Sequence, residues 1–156
     1  MTNNSADLAA GLRNPSTDYS AIRRFSAAPD VVYNAVTTTA GLTQWWSAAS
    51  GSGGMGGELV FTFGSAKKIM DVIAADRPTH VRWFVRVCEP LPEWVGTHID
   101  FVITADNDSE SVLHFTHEGL TPQLDCFDTC NNAWGVFLNS LVAYVETGRG
   151  QPYATA

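Results

Sequence analysis

From His117-Glu118-Gly119 through Thr121-Pro122 to Gly148 the sequence reads as a strand end that turns sharply into one long helix, with Trp134-Gly135 in its middle. Leu124, Phe127, Trp134, Leu138, Leu141 and Val145 recur at three-, four- and seven-residue spacing, which puts them on one helical face. Thr121 suits the N-cap, Pro122 the first helical position, and Gly148 the left-handed residue that ends a helix. Before this helix the chain is mostly alternating, strand-type sequence. A single long helix after a run of strands is expected to cover the concave face of a curved sheet. The gap between the two is then the place to look for function.

The rest of the chain fits that frame. Residues 1–17, rich in Ser, Asn, Thr and Ala, read as a flexible N-terminal tail with a helical turn over 7–12. Residues 18–150 read as one domain and 151–156 as a C-terminal tail. A strand over 19–27 precedes a short helix opened by Pro29-Asp30, with Val31, Val32, Ala35 and Val36 on its apolar side. A second helical piece follows over 40–46. The glycine-rich stretch 47–57 reads as a mobile flap beside a pocket mouth.

Five strands are predicted after it, over 58–63, 68–74, 80–88, 97–105 and 111–117. In the third of these Val81, Trp83, Val85 and Val87 share a side. Short connections demand antiparallel pairing. The class is α+β: a helix-grip fold, with a curved antiparallel sheet of about six strands around a long C-terminal helix and two short helices after the first strand.

Charge and cysteine usage exclude several functions. A net charge of −7 without any Lys/Arg cluster argues against nucleic acid and anionic membrane surfaces as partners. No apolar run is long enough to span a bilayer, and the N-terminus lacks the basic and apolar regions of a signal peptide. Cys88, Cys126 and Cys130 are odd in number and form no disulfide framework. A cytoplasmic protein is expected.

One ordered set of residues resembles a known family. Ala28-Pro29-Asp30-Val31-Val32-Tyr33-Asn34-Ala35-Val36, then Leu42-Thr43-Gln44-Trp45-Trp46, then Gly56-Gly57, Trp83, His117-Glu118-Gly119-Leu120, Trp134-Gly135, and Leu138 with Leu141, Tyr144 and Gly148 stand in its order. Over about residues 19–148 the chain resembles the START-like, or SRPBCC, helix-grip superfamily. Within that it is most similar to the group named after activators of the heat-shock-protein-90 ATPase. The resemblance implies the helix-grip fold. It also implies a range of roles, from small-molecule carriers and aromatase/cyclases to hormone receptors and chaperone cofactors. Two departures stand out. The segment 89–94 is longer and more Pro-rich than a hairpin turn, and the sequence lacks the separate N-terminal domain through which eukaryotic chaperone activators engage their partner. A chaperone partner is therefore not the first expectation.

The candidate ligand-binding residues are Trp45, Trp46, Phe61, Phe63, Met70, Trp83, Phe101, Phe115, His117, Asn131, Trp134 and Leu138. Together with Phe137, the aromatic ones either line an apolar cavity or pack as a filled core, with Phe101, Phe115 and Leu138 favouring the core. Because Trp45 and Trp46 are adjacent, one is expected to point inward and the other to shape an entrance. His117 is the candidate catalytic residue, as a general acid or base; its alternative is a structural histidine bonded to a backbone carbonyl. Asn131 falls on the sheet-facing stripe and would orient a polar group, unless the helix begins late.

Asp71 is expected to face water, as are His98 and His114, and Glu118 to favour the helix N-terminus electrostatically. Cys126 and Cys130 read as small buried hydrophobes. No metal or cofactor is expected. The leading reading is binding of a small hydrophobic or aromatic molecule between helix and sheet. The alternatives are a cyclase/dehydratase- or hydrolase-like enzyme using the same cavity, and a protein-interaction module. Homodimerisation stays open.

Overall fold

The computed structural model describes residues 18–153. The expected N-terminal tail and its helical turn lie outside them. In chain order the elements are β1 (Tyr19–Phe25), α1 (Pro29–Thr37), α2 (Thr39–Trp45), β2 (Ala48–Gly51), β3 (Glu58–Phe63), β4 (Ala66–Asp76), β5 (His80–Cys88), a 3-10 turn (Pro92–Trp94), β6 (His98–Asn107), β7 (Glu110–Glu118) and α3 (Phe127–Thr147). All seven strands join one antiparallel sheet in the order β1-β7-β6-β5-β4-β3-β2. The chain adopts the expected α+β helix-grip architecture.

The strand beyond the expected six comes out of the glycine-rich stretch. Ala48–Gly51 pairs with β3, and the following loop is fastened rather than free: Gly56 N–H donates to Val72 O at 3.0 Å, and Val72 N–H donates to Gly57 O at 2.9 Å. A mobile flap is therefore the wrong description of 47–57. In α1 the buried residues are Val32, Tyr33, Ala35 and Val36, while Val31 turns outward. In β5 the register slips opposite Ile69 and Met70, so Cys88 is buried in place of the expected Val87. A bulge of this kind reverses the faces of the residues beyond it.

The terminal helix begins five residues later than Thr121 and Pro122 suggest. Residues 119–126 form turns, and Cys126 occupies the N-cap without a side-chain cap of its own. The buried stripe is Cys130, Trp134, Leu138 and Leu141, a helical repeat shifted toward the C-terminus. Gly119, at φ +100°, lets the chain leave β7 against Thr97; a Cβ there would sit 2.7 Å from Thr97 Cγ2. Gly148 ends the helix at φ +81°, as expected. Beyond it the chain stays attached: Gln151 N–H donates to Ser140 Oγ and Tyr153 N–H to Trp46 O, so 151–153 belong to the domain rather than to a tail.

The N-terminus of α3 takes its cap from another part of the chain. Both carboxylate oxygens of Glu93 accept from it, one from Asp125 N–H at 3.2 Å and the other from Cys126 N–H at 3.1 Å. Glu118, the residue expected to serve there, instead bonds Arg82 at 2.7 Å at the end of β7. A remote carboxylate thus satisfies donors that the helix leaves open and meets its positive end. Glu93→Ala should lower stability by about 1 kcal/mol in urea unfolding, with faster hydrogen exchange confined to the first turn of α3.

Candidate functional site

Most of the predicted ligand-binding aromatics fill the space between helix and sheet with one another. Trp46 is their centre. Its ring stacks on Trp45 (6.1 Å), Trp83 (6.0 Å) and Trp134 (5.1 Å), and meets Phe61 at 4.5 Å and Phe63 at 5.7 Å. Trp83 continues to Phe101 and Phe101 to Phe115. Met70 and Leu138 are fully buried in the same core.

Neither Trp45 nor Trp46 shapes an entrance. The chain leaves the helical path at Trp46, the C-cap of α2, and both indoles turn inward. Trp45 Nε1–H then donates to Ala35 O at 2.8 Å. Asn131 is half-buried and outside the lining of the cavity described below, because the late start of α3 moves the sheet-facing stripe to Cys130 and Trp134.

His117 is buried among these rings and both its nitrogens are occupied. Trp134 Nε1–H donates to Nδ1 at 3.0 Å, and Nε2 lies 2.8 Å from Thr97 Oγ1. The Thr97 hydroxyl donates to Trp94 O at 2.6 Å, so its oxygen is left to accept, and His117 must carry its proton on Nε2. The result is a directed chain from α3 through β7 to the 92–94 turn. Burial, helped by the charge of Lys68 and by His98, holds the imidazole down to about 3. A neutral ring with no free lone pair cannot take a substrate's proton. The ring is held by two side chains rather than by the backbone carbonyl expected of a structural histidine, and this geometry gives a catalytic role no support.

A small cavity of about 60 Å3 remains at the edge of this core. Trp46, Trp94 and Trp134 form its aromatic wall; Leu91, Thr129, Cys130, Ala133 and Phe137 complete it. Lys68 reaches into it from β4, 5% exposed. Its Nζ lies 3.8 Å from the Trp94 ring centre, 4.4 Å from Phe63 and 5.3 Å from Trp46. No carboxylate among the described residues pairs with it.

Burial pulls the Lys68 ammonium down to about 8, against a weak opposing pull from Cys88, Cys130 and Cys126. Burial also raises the Cys88 thiol, and it pushes Cys126 up to about 12, with help from Cys130 and Glu93. These thiols stay protonated, which suits neither metal ligation nor nucleophilic attack. Cys130 Sγ accepts from Trp94 Nε1–H at 3.2 Å. Among the described residues no cluster of His, Cys, Asp and Glu could hold a metal ion.

Of the residues proposed from sequence, Trp46, Trp134 and Phe137 line this cavity. Lys68, Trp94, Thr97 and Cys130 were missed. The alternation of β4 carries a signal for the first, since Lys68 shares a face with Met70 and Val72. Asp71 points the other way and pairs with Arg86 at 3.0 Å on the outer face, where His80 also meets Asp100 at 2.7 Å.

Because an unfolded histidine titrates near 6.5 while His117 is held near 3, the unfolded chain binds the extra proton first. The contribution of His117 is complete above pH 6.5 and is lost as pH falls toward 3. Thermal melts should show stability dropping between pH 6.5 and 5, and this slope should flatten in His117→Gln, itself less stable by about 2 kcal/mol at pH 7.

No protein of curated function matches the sequence. Among solved structures, the chain is similar to the Aha1 dimer from Colwellia psychrerythraea, at 28% identity and a TM-score of 0.74, over 85% of this chain and 98% of that one. It also shares its fold with an HSP90 activator from Plasmodium falciparum, at 18% identity and a TM-score of 0.69, over 85% and 97%. A third likeness is DynU16, a putative protein in the dynemicin biosynthetic locus, at 20% identity and a TM-score of 0.68, over 87% of this chain and 49% of that one. No helix among the described residues is long and apolar enough to cross a membrane. The family model for Activator of Hsp90 ATPase homolog 1-like proteins matches residues 26–146, and the chain belongs to that family.

Proposed function

We propose that this domain binds a small apolar molecule, or the apolar end of a larger one, between α3 and the sheet, with Lys68 meeting an oxygen atom of the ligand. The observation that carries this reading is the buried, unpaired amine of Lys68 in the wall of the cavity. Placing a charge inside an aromatic wall costs stability, and contacts with three rings offset only part of that cost. Methionine would pack as well without it. A residue that lowers stability and faces a cavity is a mark of a binding site.

The ligand would supply what the chain does not: an acceptor for Nζ, and apolar surface against Leu91, Ala133 and Phe137. Cavities for drug-sized ligands are roughly 300–1,000 Å3. At about 60 Å3 this one takes only a few non-hydrogen atoms, unless the segment 89–97 moves outward.

An enzyme built on His117 has less support, since both ring nitrogens are already bonded. The names of the Colwellia and Plasmodium proteins favour a second reading, in which the domain engages a chaperone, and the Colwellia dimer favours self-association. Stimulation of a purified Hsp90 ATPase tests that reading, and light scattering tests the dimer.

The binding reading is tested with octanoate, whose carboxylate suits Nζ of Lys68 and whose chain calls for the outward movement of 89–97. Titration should change tryptophan fluorescence saturably in the wild type and far less in Lys68→Met. Equal binding by the two proteins would sink the reading. Native mass spectrometry of freshly purified protein should show a retained small molecule. Lys68→Met should also be more stable than wild type by about 1–3 kcal/mol at pH 7, because the buried ammonium is gone. With the folded amine near 8 and the unfolded one near 10.5, wild-type stability rises over that pH range, so the advantage of the variant should shrink there.

A further inference from the structure

The chain contains two lysines, and they are neighbours. The alternation of β4 sends Lys67 to solvent, its N–H donating to Glu89 Oε1, and sends Lys68 into the aromatic wall. The same strand therefore carries a reference amine one residue away from the buried one.

The groups that face Lys68 from the surrounding elements are limited. From β5 comes Cys88, from α3 Cys126 and Cys130, and from β7 the neutral His117, whose nitrogens are already bonded. Burial raises the thiols of Cys88 and Cys126, and among the described residues no carboxylate stands ready to hold the amine as an ammonium. A lysine desolvated in this way has a free lone pair at mildly basic pH, which is the condition for attack on a carbonyl carbon.

We propose that Lys68 forms an imine with a small apolar aldehyde in this cavity, an inference that rests on the binding reading above. The nitrogen lone pair attacks the carbonyl carbon, a C–N bond forms, and one proton passes from nitrogen to the carbonyl oxygen. The C–O bond then breaks. The oxygen leaves as water with the second amine hydrogen, and a C=N bond remains. Amine plus aldehyde gives imine plus water, with no oxidant or reductant.

The surroundings select the aldehyde. Leu91, Ala133 and Phe137 favour a short hydrocarbon chain over a hydroxylated one, and the volume admits only a few non-hydrogen atoms. Water displaced from an apolar wall also favours the dehydrated product.

The experiment uses the full chain with butanal and sodium cyanoborohydride at pH about 8, read by intact mass and by fragmentation across Lys67-Lys68. Cyanoborohydride fixes the imine as a butylamine. One butyl group is expected on Lys68, with a rate that saturates in butanal and falls when octanoate is added. The Lys67→Arg protein should label at Lys68 as fast as wild type, and Lys68→Arg should lose the saturable labelling. Glyceraldehyde should show no preference for Lys68.

Labelling confined to Lys67 and the terminal amine, or rising linearly with butanal, would overturn the imine. Mapping on the Lys67→Arg protein decides this without touching the core. If octanoate binds while Lys68 stays unlabelled, the imine falls and the binding reading survives. If octanoate does not bind either, both fall.

Discussion

The imidazole of His117 can be buried only because two other side chains complete its hydrogen bonds, and much of the site is arranged around that requirement. Its Nδ1 needs a donor, which sets the position of Trp134 on α3; its Nε2–H needs an acceptor, which sets Thr97 at the start of β6. Thr97 passes the direction on to the Trp94 carbonyl and so anchors the 92–94 turn. Four separate stretches of chain are tied at one ring. An unpaired polar group at this depth would cost about 1–3 kcal/mol, so the arrangement is stable whole and poor in part. The indole of Trp134 can face the sheet in one rotation of α3 only, and the register of the helix follows from it.

The Pro-rich segment 89–97 is where this constraint meets the cavity. It is held at its start by the Lys67–Glu89 pair of backbone and carboxylate bonds, and at its end by the Thr97 hydroxyl. Between them, Glu93 caps α3 from outside and Trp94 lays its ring parallel to Trp134 at 5.7 Å while covering Lys68. The residue that closes the cavity is therefore adjacent to the residue that starts the helix. Any outward movement of Trp94 that admits a larger ligand pulls on Glu93 and loosens the first turn of α3.

The fold was legible in the sequence because alternation and helical periodicity report burial directly. The order of elements, the antiparallel sheet and the Gly148 cap all follow from such patterns. The start of α3 was not, because Thr121-Pro122 carries a strong local signal that a carboxylate 28 residues upstream of Thr121 in Glu93's turn overrides at Cys126. Local cap rules have no view of such a partner. The candidate site was legible only in part. Trp46 and Trp134 announce themselves as large aromatics, whereas Trp94 sits in a stretch that reads as a loop. Lys68 was hidden by its charge, since a lysine is assigned to solvent unless the phase of its strand is allowed to overrule its type. Phase was the better guide here.

Lys68 also explains why the aromatic core and the cavity are different places. The rings around Trp46 pack mostly against one another, and Trp46 and Trp134 also face the cavity. At their edge the packing partner is an ammonium, which rings attract but hydrate poorly; such contacts contribute about 2 kcal/mol when desolvated, less than the burial takes away. That imbalance is local to one side chain and is relieved by anything that brings an oxygen to Nζ or removes its charge. The sheet and helix could keep their form with methionine at this position. What the lysine adds is a buried amine with no carboxylate partner among the described residues.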